Sequence, residues 1–336
     1  MSLDTNYLSE TSIIIPTIEI NTLTQKCIKE CLAHCFGASI FVVVDFENDQ
    51  VFPDKIVKII VSGDSTIGAK RNLAARASSS KYLAFIDSDA FPMAGWLENA
   101  LHILTNQENT WAVGGPNVSP LEESLSERYV GLSQKSILVA GFNNFRKQFK
   151  PARFCDDLPS CNLIIRREQF LEMGGMNEKL VAGEDMDFCH RLRKMGKQIY
   201  YSPDVVVYHK NRCLKNYILQ RLTYGASVFE LIELTGSKNM YLLCLRLLLI
   251  VPAATFLFLF SGFLIYWHPD WKNIYLPIVI IYTLLVLIEG VKYSEKFYDF
   301  PGVVLALIIG NLAPALGTLA KIARVLPDRK KIYKNT

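Results

Sequence analysis

Phe85-Ile86-Asp87-Ser88-Asp89-Ala90-Phe91-Pro92 continues the apolar run Tyr82-Leu83-Ala84-Phe85-Ile86 into two carboxylates. A short apolar run that ends in polar residues reads as a buried strand. Residues at i and i+2 of an extended segment point to one side, so Asp87 and Asp89 leave the strand end together. In open α/β sheets ligands bind at the carboxyl ends of strands. Two hard oxygen donors there suit Mg2+ or Mn2+, which bind through one or two carboxylates plus substrate phosphates. The plain alternative is a strand followed by a solvated turn.

The flanking sequence repeats the pattern. Ser12-Ile13-Ile14-Ile15-Pro16-Thr17, Ile40-Phe41-Val42-Val43-Val44-Asp45 and Lys58-Ile59-Ile60-Val61 are further apolar strands. Helical stretches lie between them, at about 22–35 and 67–77, the second with Ser65-Thr66 as a cap and Lys70-Arg71-Asn72 in its first turns. Strands alternating with helices imply a mainly parallel sheet covered on both faces. Thr17, Asp45, Asp87 and Asp89 would then line one sheet edge, a nucleotide site by geometry. Neither a Walker A lysine motif nor GxGxxG is present, so a metal is expected to manage a diphosphate.

Trp96–Leu104 reads as a helix and Trp111–Pro116 as a strand that runs into Gly114-Gly115. Residues 120–157 are mixed, and a mobile loop is expected there. A strand ends Pro159-Ser160-Cys161-Asn162-Leu163-Ile164-Ile165. Gly183-Glu184-Asp185-Met186-Asp187 opens a helix marked by Phe188, Leu192 and Met195. Acids at a helix N-terminus are favoured by its exposed N–H groups, and that accounts for Asp187; three acids in four residues exceed what capping needs. Val205-Val206-Val207-Tyr208-His209 is a strand ending in histidine.

In this order these motifs resemble the family 2 glycosyltransferases, over about residues 11–232. The resemblance implies a GT-A fold, a Rossmann-like nucleotide-diphospho-sugar transferase domain, and inverting sugar transfer from a nucleotide-diphosphate sugar. It assigns Thr17, Glu19 and Asp45 to base and ribose, and Arg71 and Asp87 to the donor. Asp89, with His209 and Asp87, would hold the Mg2+ or Mn2+. Asp185 would be the general base, with Glu184 orienting the acceptor or its loop. Ser160, Asn162 and Arg221 are candidate acceptor contacts. The family's Asn-Glu reads Ile18-Glu19 here, and its Asp-Asp-Gly-Ser reads Asp45-Phe46-Glu47-Asn48. The Gln-x-x-Arg-Trp of processive synthases is absent from Gln220–Tyr224, so transfer of a single sugar is expected. The alternatives are a processive polysaccharide synthase, a nucleotidyltransferase, and a non-catalytic scaffold. The second predicts a glycine-rich phosphate loop, which is missing. The third predicts loss of the acids, which are present.

Half of the residues are hydrophobic, and most of the excess lies after residue 238. Leu242–Trp267 and Ile274–Val291 approach or exceed the roughly 20 residues that cross a bilayer. A third apolar segment, 301–323, is interrupted by Gly310, Asn311, Pro314 and Gly317. The expected organisation is a transferase domain over 1–232 and a membrane domain over 233–336, with spans at about 242–267 and 274–292. The third segment is re-entrant, interfacial or spanning; the basic tail (Lys321 to Lys334) favours two crossings with a re-entrant or interfacial third segment, kinked near Asn311-Pro314, by the positive-inside rule. Met1–Glu10 has no apolar core, so no cleavable signal peptide is expected. These features imply an integral membrane protein with a cytoplasmic catalytic domain. Membrane lipid would be one partner, and a lipid-linked or saccharide acceptor another. Lys215 and Arg221 meet a lipid phosphate or are ordinary juxtamembrane charges. A net charge of +4 gives no case for nucleic acid. Cys27, Cys31 and Cys35, four apart, read as one buried helix face, and the eight cysteines suit a reducing compartment.

Overall fold

The structure is a computed structural model that describes residues 6–47, 52, 55–235 and 254–323. It divides into two compact units. The first comprises residues 1–120 and 145–210, and the second 121–144 and 211–336. In place of a single boundary near residue 232 the chain passes between the units three times, because residues 121–144 pack with the C-terminal helices.

After the short helix α1 (Asn6–Ser9), the first unit is built from β1 (Thr11–Pro16), α2 (Thr22–His34), β2 (Ser39–Val44), β3 (Val57–Val61), α3 (Ile67–Ala77) and β4 (Tyr82–Ile86). Then come β5 (Ala90–Pro92), α4 (Trp96–Asn106), β6 (Thr110–Gly114) and β7 (Asn117–Val118). The main sheet has the order β3-β2-β1-β4-β9-β6-β10-β8, with β8 at Arg153–Cys155, β9 at Asn162–Arg166 and β10 at Gln198–Tyr201. Only β9 and β8 run against the others, so the expected mainly parallel sheet is present with two reversed strands. Its apolar strands are buried on both faces: Ile13 and Ile15 pack to one side, Ile14, Leu83 and Phe85 to the other. Cys27, Cys31 and Cys35 belong to that core, all buried and free. Thr66 caps α3 by accepting the Ala69 N–H.

A small second sheet, β5-β11-β7, sits at the carboxyl ends of the main strands, with β11 at Val207–His209. Helices α7 (Arg167–Glu172) and α8 (Glu184–Lys194) complete the unit.

The second unit begins with α5 (Leu125–Ser133) and α6 (Ile137–Ala140), where a mobile loop is expected from sequence. Helix α5 starts on a capping box: Ser124 and Glu127 satisfy each other's backbone N–H groups. Helix α9 (Leu214–Thr235), the shorter apolar helix α10 (Ala254–Tyr266), α11 (Lys272–Tyr293) and α12 (Phe300–Ile322) follow. The first part of the expected span 242–267 and the basic tail from residue 324 lie outside the described residues. Among the described residues two helical segments are long and apolar enough to cross a membrane, Pro269–Tyr293 and Phe297–Ile322.

Helix α12 runs unbroken through Gly310, Asn311, Pro314 and Gly317, the residues that interrupt this apolar segment in the sequence. Pro314 has no N–H to give the Gly310 carbonyl four residues earlier, which would ordinarily kink the helix. Arg221 of α9 supplies the missing donor, with Nε at 3.1 Å and Nη2 at 2.8 Å from that carbonyl. The two helices touch backbone to backbone. A Cβ on Gly225 would lie 1.9 Å from the Pro314 carbonyl oxygen, and one on Gly317 1.9 Å from that of Leu222. Only glycine fits at either position.

Candidate active site

Three consecutive residues of α3 each fasten a different wall. Lys70, 2 % exposed, pairs with Asp45 at the end of β2 and donates to the Thr17 carbonyl at the end of β1. Arg71, 1 % exposed, reaches Asp87 after β4 (Nη2–Oδ1 2.6 Å) and Glu184 at the start of α8 (Nη1–Oε1 2.8 Å). Asn72 binds both backbone groups of Met176, at 2.8 Å each. The motif Lys70-Arg71-Asn72 is thus a clamp on the sheet edge.

Strand register supplies the rest. His209 pairs with Ala90 in the β11–β5 ladder, which sets its imidazole beside the two acids. Nε2 is 3.4 Å from Asp89 Oδ1 and 3.7 Å from Asp87 Oδ2. In the β4–β9 ladder Ile86 faces Asn162, so the next residues, Asp87 and Cys161, come together. The ligand atoms of Asp87, Cys161 and His209 all lie within 4.8 Å of one another. Asp185 is partly exposed; Oδ1 accepts the Met186 N–H at 2.8 Å and Oδ2 the Ser160 N–H at 3.3 Å.

The electrostatics separate the acids. Burial alone would raise the Asp87 pKa, but the neighbouring His209 imidazole and the Arg71 charge outweigh it and hold the group at about 2. Glu184 goes the other way, to about 7, driven first by burial and then by the adjacent Asp185 charge, against the pull of Arg71. Burial also raises Asp185, opposed by Arg146. Arg146 is itself paired with Asp157. Burial, then the Asp87 charge, pushes the Cys161 thiol well above its ordinary value. Acids driven apart in this way are what acid–base chemistry near neutrality uses.

Several expected site residues turn out to have structural partners. Asn162 is wholly buried: Oδ1 accepts from Trp96 Nε1 at 2.8 Å, and Nδ2 donates to the Val205 and Pro116 carbonyls at 2.8 and 3.4 Å. It pins the sheet edge and offers nothing to an acceptor. Arg221 belongs to the second unit, where the Gly310 and Val139 carbonyls hold its guanidinium. Asp45 and Arg71 are buried in ion pairs, so each braces the site where a nucleotide contact was expected. Asp187 does not cap α8, whose N-cap is Gly183 without a side-chain bond. It pairs instead with Arg191 at 2.9 Å, and Arg191 holds the Met173 and Gly175 carbonyls. Glu19 is exposed and Thr17 half-buried, with Thr17 Oγ1 on the Glu19 carbonyl. The Ser160 side chain is buried, and its backbone faces Asp185. Lys70, Cys161 and Arg146 were missed; Lys70 and Cys161 adjoin motif residues, and that adjacency was the available signal.

The donor set fits a divalent cation. Two oxygens or nitrogens bound to one ion at about 2.1 Å sit about 3 Å apart. His209 Nε2 lies near that spacing from each acid, 3.4 Å from Asp89 and 3.7 Å from Asp87, on a side of the corner where all three remain partly exposed.

The family described as "Glycosyltransferase like family 2" matches residues 56–228, just over half of the chain. The protein belongs to that family, and its first unit is a GT-A α/β domain. A pre-mycofactocin glycosyltransferase of Mycobacterium tuberculosis is 30% identical over 166 residues, 48% of this chain and 34% of the relative. The chain thus spans about a third of that relative's length. Glycosyltransferase AglE of Haloferax volcanii is 22% identical over 62% of this chain and 69% of its own. A mannosyltransferase from Pyrobaculum calidifontis, solved with GDP-Man and Mn2+, superposes with a TM-score of 0.57 at 15% identity. That likeness covers 92% of this chain and 87% of the other, and it shows the fold.

Proposed function

We propose that the protein transfers a single sugar, with inversion, from a nucleotide-diphosphate sugar to a membrane-associated, lipid-linked acceptor. The observation that carries this reading is the corner where Arg71 ties Asp87 to Glu184, with Asp89, His209 and Asp185 around it. Membership of the family supports the reaction class. The GDP-Man and Mn2+ held by the similarly folded mannosyltransferase support the donor class and a divalent ion.

Asp87, Asp89 and His209 would hold Mg2+ or Mn2+. Such an ion offsets charge on the departing diphosphate. Asp185, fixed by the Ser160 and Met186 N–H groups, takes the proton of the acceptor hydroxyl. The hydroxyl oxygen bonds to the anomeric carbon as the bond to the nucleotide diphosphate breaks on the opposite face. Glu184 is held by Arg71 and keeps the α8 N-terminus in place.

The second unit supports a membrane setting for the acceptor. Ile278, Ile281, Leu285 and Ile288 of α11 are exposed, and mean hydropathy over Pro269–Tyr293 reaches 2.3. An apolar surface of that extent calls for lipid. The catalytic unit then faces the cytoplasm, where nucleotide sugars are made. A Lys331→Cys variant labelled from the outside of sealed, inside-in vesicles would contradict this topology.

The test is a panel of nucleotide sugars with membrane lipid extract as acceptor, read by product mass. One added sugar per acceptor is expected, with Mn2+ or Mg2+ required. Asp185→Asn should lower turnover by about 10²–10⁴-fold, and Asp89→Ala should abolish the metal response. Wild-type rates in both variants would overturn the mechanism; a ladder of added sugars would overturn single transfer.

A further inference from the structure

One group at the sheet edge has no part in the mechanism above. Cys161 follows Ser160 and precedes Asn162, so the fully buried Asn162 anchors it through three hydrogen bonds. The β4–β9 register sets it across from Asp87. Its sulfur shares a cluster within 4.8 Å with Asp87 oxygen and His209 nitrogen. These three donors rest on strand ends fixed by two different sheets, an arrangement that limits how far they relax.

The donors differ in kind. Carboxylate and imidazole serve Mg2+ and Mn2+ as well as Zn2+, whereas a thiolate selects softer ions. Zinc takes Cys sulfur, His nitrogen and Asp or Glu oxygen as ligands, and its catalytic sites have three protein ligands with an open fourth position. A thiophilic ion at this corner therefore has a third ligand that a hard ion leaves unused. Arg71 occupies Asp87 Oδ1, so Oδ2, the oxygen that faces His209, is the one available.

We propose that Cys161 gives the site a second binding mode, in which Asp87, His209 and Cys161 together ligate a thiophilic divalent cation such as Zn2+, Co2+ or Cd2+. The thiol proton passes to water as the metal–sulfur bond forms. Asp87 and His209 serve both modes, so Zn2+ and Mn2+ compete for one site. Zinc then acts as a brake on the transferase rather than as its activator. This inference rests on the reading of Asp87 and His209 as metal ligands.

The experiment uses the full chain, purified in detergent and freed of metal. Zinc X-ray absorption on the wild type should report one sulfur at about 2.3 Å. Co2+ should give a thiolate-to-metal charge-transfer band that Mn2+ abolishes at high concentration. Cys161→Ser should lose both signals and weaken Zn2+ binding at least roughly tenfold, the cost of losing even an outer partner of a metal ligand. Cys213→Ser, a cysteine of the other unit, should keep them. Mn2+ binding, read by electron paramagnetic resonance, shows that Cys161→Ser is folded at the site. A wild-type zinc shell of nitrogen and oxygen only, or a sulfur shell that survives in Cys161→Ser, overturns the proposal. In the first of these cases Mn2+-dependent release of nucleotide diphosphate would leave the catalytic reading intact. Sulfur ligation lost in Cys161→Ser, in a protein that Mn2+ does not activate, would support the second mode and overturn the transferase mechanism.

Discussion

Arg71 and Arg221 are withdrawn arginines in different units, and they solve different problems. Arg71 ties together two acids, Asp87 and Glu184, that lie far apart in the first unit's sequence. Among the described residues Arg221 makes no ion pair. It feeds hydrogen bonds to the Gly310 carbonyl that Pro314 deprives of a donor, and to the Val139 carbonyl at 3.3 Å. Both uses need the planar fork of guanidinium donors, which lysine does not provide. The surroundings differ in what remains available. Around Arg71 the acids still titrate, and their pKa values are pushed apart. Around Arg221 the partners are carbonyls, and Gly225 and Gly317 close the gap between the helices. A charged hub leaves chemistry at its edge; a backbone hub leaves only a packed joint.

The largest effect should come from breaking the charged hub. Arg71→Met leaves a buried carboxylate unpaired, which typically costs about 3–5 kcal/mol, with the low end expected here because Asp87 is one-third exposed. Thermal unfolding of the purified protein reads this, and Arg71→Lys should recover little of it. Arg221→Met should be milder, about 1–3 kcal/mol, because it orphans neutral carbonyls. The cause can be isolated. Pro314→Ala restores an N–H to the Gly310 carbonyl, so Arg221→Met should cost less in that background than in the wild type. Equal costs in both backgrounds would mean that Arg221 acts by some means other than replacing the proline's missing donor.

The two hubs also differ in how visible they are in the sequence. The strand-end acids could be read because apolar runs stop at Thr17, Asp45 and Asp87, and the period-two rule puts Asp87 and Asp89 on one side. The partners of Arg71 could not, because Glu184 lies 113 residues away and contact across the sheet edge depends on which strands pair. The same limit explains Asn162, which looked like an acceptor contact and is a buried brace. It also explains Cys161, whose place opposite Asp87 follows from β9 running against β4. The second unit held a signal that was readable and was missed: Ser124-Leu125-Ser126-Glu127 is a capping box opening α5. Pro314 marks a missing backbone donor in the apolar segment, but the residue that supplies it, Arg221, lies 89 positions from the Gly310 carbonyl and could not be read from sequence.

The smallest expected effect discriminates between the hubs by pH. Glu184 has a folded pKa of about 7 against an ordinary 4.5, because burial and then the Asp185 charge favour its neutral form. The folded state therefore holds a proton that the unfolded chain has released. The stabilisation tied to that proton is full below 4.5 and fades as pH rises through 7. Metal-free protein should thus lose on the order of 1 kcal/mol between about pH 5 and 8, a figure well below the full linkage value because Arg71 and Asp185 share the titration. Glu184→Gln, neutral throughout, should flatten that slope in thermal unfolding. Arg221→Met should leave it unchanged, since main-chain carbonyls do not titrate. A slope that persists in Glu184→Gln would assign the titration to Asp185, and the charged hub would then control the pH response through the proposed base itself.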